Sequence, residues 1–223
     1  MTPETIDRSQ AVEVIRELAQ RYVAKHERPP RTIIVVGGTA LAMRGLRDQS
    51  SDIDIFQDED AFAEVARELE TMSGHKIDVT NDYRLWGGLD VYDIESDAEV
   101  METLDVEGFS VDIAAISVET LFVIKASSMR DKDRADLPAI MAATTPERIM
   151  ERTQSLVLAL DDRYLEEEVL GCVISEIQLV VLDLVQPGWF ATTPELSKRH
   201  GKFLKDEFAL NTKAPSGQLV PRL

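Results

Sequence analysis

Two aspartates that follow a glycine turn are the residues in this sequence best suited to chemistry. Gly37-Gly38-Thr39 lies between an apolar run, predicted as a strand, and a short predicted helix, and Asp52 and Asp54 lie in the next predicted strand. Alternate side chains of a strand share a face, so both carboxylates are expected to point the same way. Like charges placed side by side repel each other, and a divalent cation is the usual compensation. A glycine turn before a helix presents backbone N–H groups to a phosphate. The pair therefore indicates a metal–nucleotide site and phosphoryl or nucleotidyl transfer.

The glycine turn has a plain alternative reading, because glycine pairs between a strand and a helix are often only turns. In the functional interpretation, Gly37 and Gly38 let a phosphate approach the backbone, and Thr39 caps the helix and donates its hydroxyl to a phosphate oxygen. No Gly-Lys-Ser/Thr follows, so the segment is not a Walker A loop. The third glycine of a dinucleotide-binding turn is also missing.

Magnesium is the ion expected at the aspartate pair, since it favours a few carboxylates together with substrate phosphates. The alternative to a metal site is a solvated edge strand, in which Asp52 and Asp54 simply face water. A third carboxylate is expected from another strand. Asp78, which alternates with Ile77 and Val79, is the first choice, and Asp112 has the same local pattern and is the second.

A charged segment near residue 130 supplies the remaining candidates. Lys125 lies in an apolar helical stretch, and Lys132, Asp133 and Asp136 follow it. On one continuous helix Lys125, Lys132 and Asp136 fall on nearly one face, although a break at Pro138 loosens that alignment. Such charge runs are usually solvated faces. A lysine among apolar residues can instead point into a site and hold a triphosphate.

These motifs together resemble those of the DNA polymerase β-type nucleotidyltransferase superfamily. The resemblance covers roughly residues 32–140 and includes Gly-Gly-Thr-Ala-Leu, Asp-Ile-Asp and the Arg-Asp-Lys-Asp-Arg-Ala-Asp-Leu stretch that begins at Arg130. The last stretch, together with Lys125, is similar to the AbiEii-like branch, which belongs to type IV toxin–antitoxin systems. Thr39 stands where the superfamily often has serine.

The resemblance implies a mixed β-sheet flanked by helices, an α/β (α+β) fold, and transfer of a nucleotide from a nucleoside triphosphate with Mg²⁺. It implies that Asp52, Asp54 and Asp78 are catalytic and bind the metal. The nucleotide-binding residues that it implies are Gly37, Gly38, Thr39, Lys125, Asp133 and Asp136.

The composition of the chain limits which classes of protein it can belong to and which partners it can bind. The chain has 223 residues, a formal net charge of −17 and one cysteine, Cys172, which excludes an internal disulfide. No apolar run is long enough to span a bilayer, and no signal peptide is recognised, so a cytoplasmic protein is expected. The acidic charge argues against a broad nucleic-acid-binding surface. It fits simple solubility, a small site for a nucleic-acid acceptor, or a basic protein partner.

Periodicity predicts an α/β domain over residues 1–144 and a helical module over 145–212. The proline, serine and glycine residues after Lys213 predict a disordered tail over 213–223. Helices are expected over 8–26, 39–47, 61–72 and 117–129, with another from near Asp136, and strands over 32–36, 51–56, 77–80 and 109–116. Residues 89–94 are expected to extend the sheet, and residues 96–104 to be helical or irregular.

The sequence is compatible with three functions. The first is an active nucleotidyltransferase whose acceptor is tRNA, a protein or a small molecule, in one version the toxin of a toxin–antitoxin pair. The second is a catalytically weak protein of the same fold that acts by binding an antitoxin-like protein partner. The third is a nucleotide sensor that binds a triphosphate without turnover.

Overall fold

The computed structural model describes residues 5–80, 91–127, 131–145, 147–149, 151–152 and 155. The chain divides into two compact units, one of residues 1–82 and 90–117 and the other of residues 83–89 and 118–223. The helices predicted beyond residue 146, the module over 145–212 and the tail over 213–223 therefore lie almost wholly outside the described residues.

The first unit is a mixed sheet flanked by helices, which confirms the expected fold class. Its strands are Ile6–Asp7 (β1), Ile33–Val35 (β2), Gln49–Ser50 (β3), Ile53–Phe56 (β4), Ile77–Thr80 (β5), Glu99–Val106 (β6) and Phe109–Ala115 (β7). Its helices are Arg8–His26 (α1), Gly37–Met43 (α2), Asp60–Ser73 (α3) and Val91–Asp97 (α4).

Five of the described strands form the central sheet, in the order β5-β4-β2-β7-β6. Strand β2 runs antiparallel to β4 and parallel to β7, whereas β4 and β5 are parallel. Strands β1 and β3 form a separate two-stranded pair. This order places the starts of β4 and β5 side by side, with the glycine turn at the end of β2 next to them.

Local signals account for the long helices. Asp7 begins α1 with a capping box, in which its carboxylate accepts from the Gln10 amide and the Gln10 side chain accepts from the Asp7 amide. The apolar stripe of α1 is buried, including Ile15 and Leu18 at 0% exposure. Gly74 ends α3 in a left-handed conformation, with φ of 76°.

Two sequence expectations in the middle of the first unit are wrong. Residues 91–97 form helix α4 and do not extend the sheet, and residues 99–106 form strand β6 and are not helical. Among the described strands, β6 pairs only with β7 and so lies at the edge of the sheet, and only Leu104 and Val106 of it are buried. Charged residues are tolerated at such an edge, and they hide the alternation by which a strand is recognised.

The second unit contributes helices Val118–Ser127 (α5) and Asp131–Ala142 (α6). The expected helix start near Asp136 is wrong, because α6 begins five residues earlier and continues through Pro138. Proline removes one backbone donor, but Leu137 and Ile140 beside it are buried, and that packing offsets the loss. None of the described helices is long and apolar enough to cross a membrane.

Candidate active site at the start of strand β4

The glycine turn is built around the carboxylate of Asp54. The Gly38 amide donates to Asp54 Oδ2 at 3.0 Å, and the Val36 amide donates to the Asp54 carbonyl at 3.0 Å. Gly37 has φ of 57°, and a Cβ atom at this position would collide with the Asp54 carboxylate. Both glycines begin helix α2, so the helix starts two residues earlier than expected. The turn thus requires glycine because an acidic side chain packs directly against it.

Thr39 ties the turn to strand β4. Its hydroxyl donates to the Asp52 carbonyl at 3.0 Å and accepts from the Asp54 amide at 2.9 Å. Thr39 is 1% exposed, and the helix N-cap is Val36, so the expectation that Thr39 caps the helix is wrong. The single hydroxyl proton is already donated to Asp52. The predicted contact with phosphate stays a prediction.

The carboxyl group of Asp54 is strongly perturbed by its surroundings. Its pKa is raised from 3.8 to about 6, first by burial and then by the negative charge of Asp52 and of Asp78, against the opposing hydrogen bond from Gly38. A carboxylate held in this way is costly to ionise at neutral pH unless positive charge reaches it. The group is therefore suited to a cation or a proton.

Asp78 lies beside Asp54, and Asp112 does not. The register of β4 and β5 pairs Asp54 with Asp78, so the two side chains share one face of the sheet. Asp112 lies in the middle of β7, next to Ile113, which pairs with Ile33 at the beginning of β2. Strand spacing and rise place Asp112 roughly 15 Å from Asp54. The Asp112 carboxylate accepts from the Thr103 hydroxyl at 2.6 Å.

Lys76 is a part of this group that the sequence interpretation missed. Its Nζ lies 3.1 Å from Asp52 Oδ2, and the side chains of Lys76 and Asp52 are 61% and 17% exposed. Its pKa is raised by the hydrogen bond to Asp52 and by the charges of Asp52, Asp78 and Asp54. The alternation in Lys76-Ile77-Asp78 was a usable signal, because it places Lys76 on the face of Asp78.

Ser50 was also missed. It is 2% exposed, and its hydroxyl makes no hydrogen bond within the described part of the chain. A Cβ atom on Gly38 would lie 2.5 Å from Ser50 Oγ, so this hydroxyl lies directly under the turn. Buried hydroxyls without a partner are uncommon, and this one is an available donor beside the candidate site.

The donor chemistry of this group fits magnesium. Asp52, Asp54 and Asp78 offer only carboxylate oxygens, which hard cations prefer, and their mutual repulsion is visible in the raised pKa of Asp54. In the described residues, no three acidic, histidine or cysteine side chains are grouped closely enough to hold an ion as they stand. Asp52 is paired with Lys76, so binding a metal requires these side chains to rearrange.

Lys125, Asp133 and Asp136 form a buried cluster within the second unit. Lys125 Nζ lies 2.7 Å from Asp133 Oδ1 and 2.8 Å from Asp136 Oδ2, and the three side chains are 6%, 3% and 14% exposed. Asp133 and Asp136 thus contact Lys125, whereas Lys132 has no described ion pair with this cluster. Their contact with a nucleotide stays a prediction, because the lysine charge is already balanced by carboxylates. The cluster joins helix α5 to helix α6.

Comparison with known proteins places the chain in a family. A family model described as nucleotidyltransferase of unknown function (DUF6036) matches residues 10–144, more than half of the chain. No curated protein and no solved structure matches it. The matched residues include the glycine turn, all three aspartates and the buried lysine cluster. The chain belongs to this family of nucleotidyltransferases.

Proposed function

We propose that the protein transfers a nucleotide from a nucleoside triphosphate to an acceptor hydroxyl with Mg²⁺. The observation that carries this proposal is Asp54: a half-buried carboxylate, held by a glycine turn, with a pKa of about 6 and two further aspartates beside it. Membership of the nucleotidyltransferase family supports the reaction class. The magnesium requirement, the substrate and the acceptor belong to the proposal.

Asp52, Asp54 and Asp78 would hold the metal. Bound there, Mg²⁺ would neutralise charge on the phosphates and lower the pKa of the attacking hydroxyl. In the proposed reaction the acceptor oxygen forms a bond to the α-phosphorus, and the bond from that phosphorus to the pyrophosphate oxygen breaks. Asp78 is the exposed member of the group, and its carboxylate would take the hydroxyl proton.

The nucleotide phosphates are proposed to lie against the turn formed by Gly37, Gly38 and Thr39. The Gly38 amide there is already bonded to Asp54, and the Ser50 hydroxyl lies beneath the turn as a donor with no partner among the described residues. In this arrangement Thr39 contributes chiefly by fixing the backbone of Asp52 and Asp54, since its hydroxyl bonds both.

The acceptor is proposed to be tRNA, a protein or a small molecule engaged at a restricted site. The net charge of −17 opposes binding of a polyanion over a broad surface. The same charge suits a basic protein partner, and with the AbiEii-like motifs it supports a role as the toxin of a toxin–antitoxin pair. Both the partner and this role are proposals that follow from charge and motif likeness.

Incubation with α-³²P-labelled nucleoside triphosphates and Mg²⁺ tests the reaction. The acceptors would be total tRNA, the purified protein itself and a panel of hydroxyl-bearing small molecules. We expect label on one acceptor class, loss of transfer in Asp54→Asn, and retention of transfer in Asp112→Asn, which makes the same change elsewhere on the sheet. Equal transfer by wild type and Asp54→Asn would overturn the proposal.

A second candidate function is nucleotide binding without transfer. It is favoured by one observation, the pairing of Asp52 with Lys76: as placed, the acidic side chains of the described residues form no group that could hold a metal. Tight, magnesium-dependent binding of a triphosphate, with no product from any acceptor, would support this candidate over the enzyme.

A further inference from the structure

We propose that Lys76 is an internal counter-ion of the candidate metal site. In the free site its ammonium neutralises Asp52, and when a metal binds, the ammonium leaves Asp52 and pairs with the phosphates of the incoming nucleotide. This inference rests on the proposed function, because it concerns the same carboxylates. It adds a residue to which neither the sequence motifs nor the family description gives a role.

The backbone of Lys76 is fixed, but its charged end is free to move. The Lys76 carbonyl accepts from the Ile53 amide at 2.9 Å, which holds the residue at the starts of β4 and β5. The side chain is 61% exposed, and Asp52 is its only salt-bridge partner within the described residues. A lysine whose backbone is fixed and whose ammonium group is exposed can exchange one anionic partner for another without a change in the fold.

Lys76 competes with any cation for Asp52. Its Nζ lies 3.1 Å from Asp52 Oδ2, so a metal bound to that oxygen must displace the ammonium or share the oxygen with it. The other Asp52 carboxylate oxygen, Oδ1, accepts from the Ser51 hydroxyl at 3.0 Å. Removing Lys76 should therefore strengthen the binding of a metal alone.

The opposite effect is expected when phosphate is present. A released ammonium at the edge of the three carboxylates stands where negative phosphate oxygens must approach, and three nearby acidic groups would otherwise repel those oxygens. Removing Lys76 should therefore weaken binding of a triphosphate together with its metal. A purely structural lysine would not shift the two affinities in opposite directions.

The test measures binding of Mn²⁺ alone by electron paramagnetic resonance of the free ion, and binding of the Mn²⁺–tripolyphosphate complex by equilibrium dialysis of tripolyphosphate, so that no choice of base enters. We expect Lys76→Met to bind Mn²⁺ alone roughly fivefold more tightly, the equivalent of a partly exposed ion pair. We expect it to bind tripolyphosphate with Mn²⁺ more weakly by a similar factor. Lys76→Arg keeps the charge and should stay close to wild type in both measurements.

Lys25→Met is the matched control, because Lys25 is a partly exposed lysine paired with Glu68 at 3.0 Å in the same unit. It should change neither affinity.

Unchanged binding in Lys76→Met, or a shift of both affinities in one direction, would overturn the role of Lys76. If Asp54→Asn binds Mn²⁺ as tightly as wild type, or if wild type binds none, the proposed metal site fails and this inference fails with it. Loss of Mn²⁺ in Asp54→Asn with no change in Lys76→Met rejects only the role of Lys76.

Discussion

Replacing Asp54 by asparagine should stabilise the metal-free protein at neutral pH and leave its stability nearly unchanged in acid. The reason is the raised pKa of Asp54, about 6 in the folded protein against 3.8 for the unperturbed group. The folded state binds this proton more tightly than the unfolded state does. Asp54 therefore makes the folded protein less stable as the pH rises from about 4 to about 6, and the full penalty applies above that range.

The size of the effect follows from the shift. The pKa of Asp54 is higher by about two in the folded state than in the unfolded state, and this difference corresponds to about 3 kcal/mol in the free energy of unfolding. Asparagine keeps an oxygen that can accept from the Gly38 amide, as Asp54 does, but it cannot ionise. The difference in unfolding free energy between Asp54→Asn and wild type should thus grow by up to about 3 kcal/mol between pH 4 and pH 7.

Urea denaturation at several pH values, in a chelating buffer, measures this difference. Asp112→Asn shows what the same chemical change does elsewhere on the sheet. Adding Mg²⁺ at pH 7 should stabilise wild type more than Asp54→Asn, because the cation relieves a repulsion that the variant lacks. A difference between variant and wild type that stays flat, or that shrinks as the pH rises, would refute the reasoning about Asp54.

Three further substitutions test the supports of the site. Gly37→Ala should destabilise the protein by at least about 2 kcal/mol, because the backbone strain at positive φ and the clash of the new methyl group with Asp54 add together. Gly45→Ala is the control: it has a similar φ but faces open space, so it should cost about 1 kcal/mol. Equal costs of the two substitutions in thermal unfolding would contradict the packing of the turn. Thr39→Val should cost about 2–3 kcal/mol by leaving a buried amide and a carbonyl unpaired, and Thr39→Ser should recover most of this loss in urea denaturation. Lys125→Met should cost about 3–5 kcal/mol by removing the cation that lies 2.7 Å from the buried carboxylate of Asp133, and a loss below about 1 kcal/mol in the same assay would show that the cluster does not stabilise the fold.

The face of the sheet on which Asp54 and Asp78 lie could be predicted from the sequence, because each alternates with apolar residues. That alternation fixes which face a carboxylate occupies. It does not fix which strands are neighbours, so the choice between Asp78 and Asp112 depended on strand order, which is a property of the whole sheet. Lys76 escaped notice for the same reason, since its contact with Asp52 exists only through the pairing of β4 with β5.

The errors of the fold prediction have local causes. Strand β6 carries charged residues along an edge and shows almost no apolar alternation, so it was interpreted as helical or irregular. Strands β1 and β3 have two residues each, and their pairing joins Ile6 to Ser50, far apart in the chain. No local pattern can indicate such a contact. Pro138 suggested a helix start, whereas the buried face of α6 carries the helix through it.

The location of a bound metal tests the central claim most directly. Crystals grown with Mn²⁺ and a non-hydrolysable nucleoside triphosphate would show the ion by its anomalous scattering. We predict a peak within coordination distance of carboxylate oxygens of Asp54 and Asp52 or Asp78, with the triphosphate against the turn at Gly37. A triphosphate bound elsewhere, or a metal with no oxygen from Asp54 among its ligands, would contradict the account.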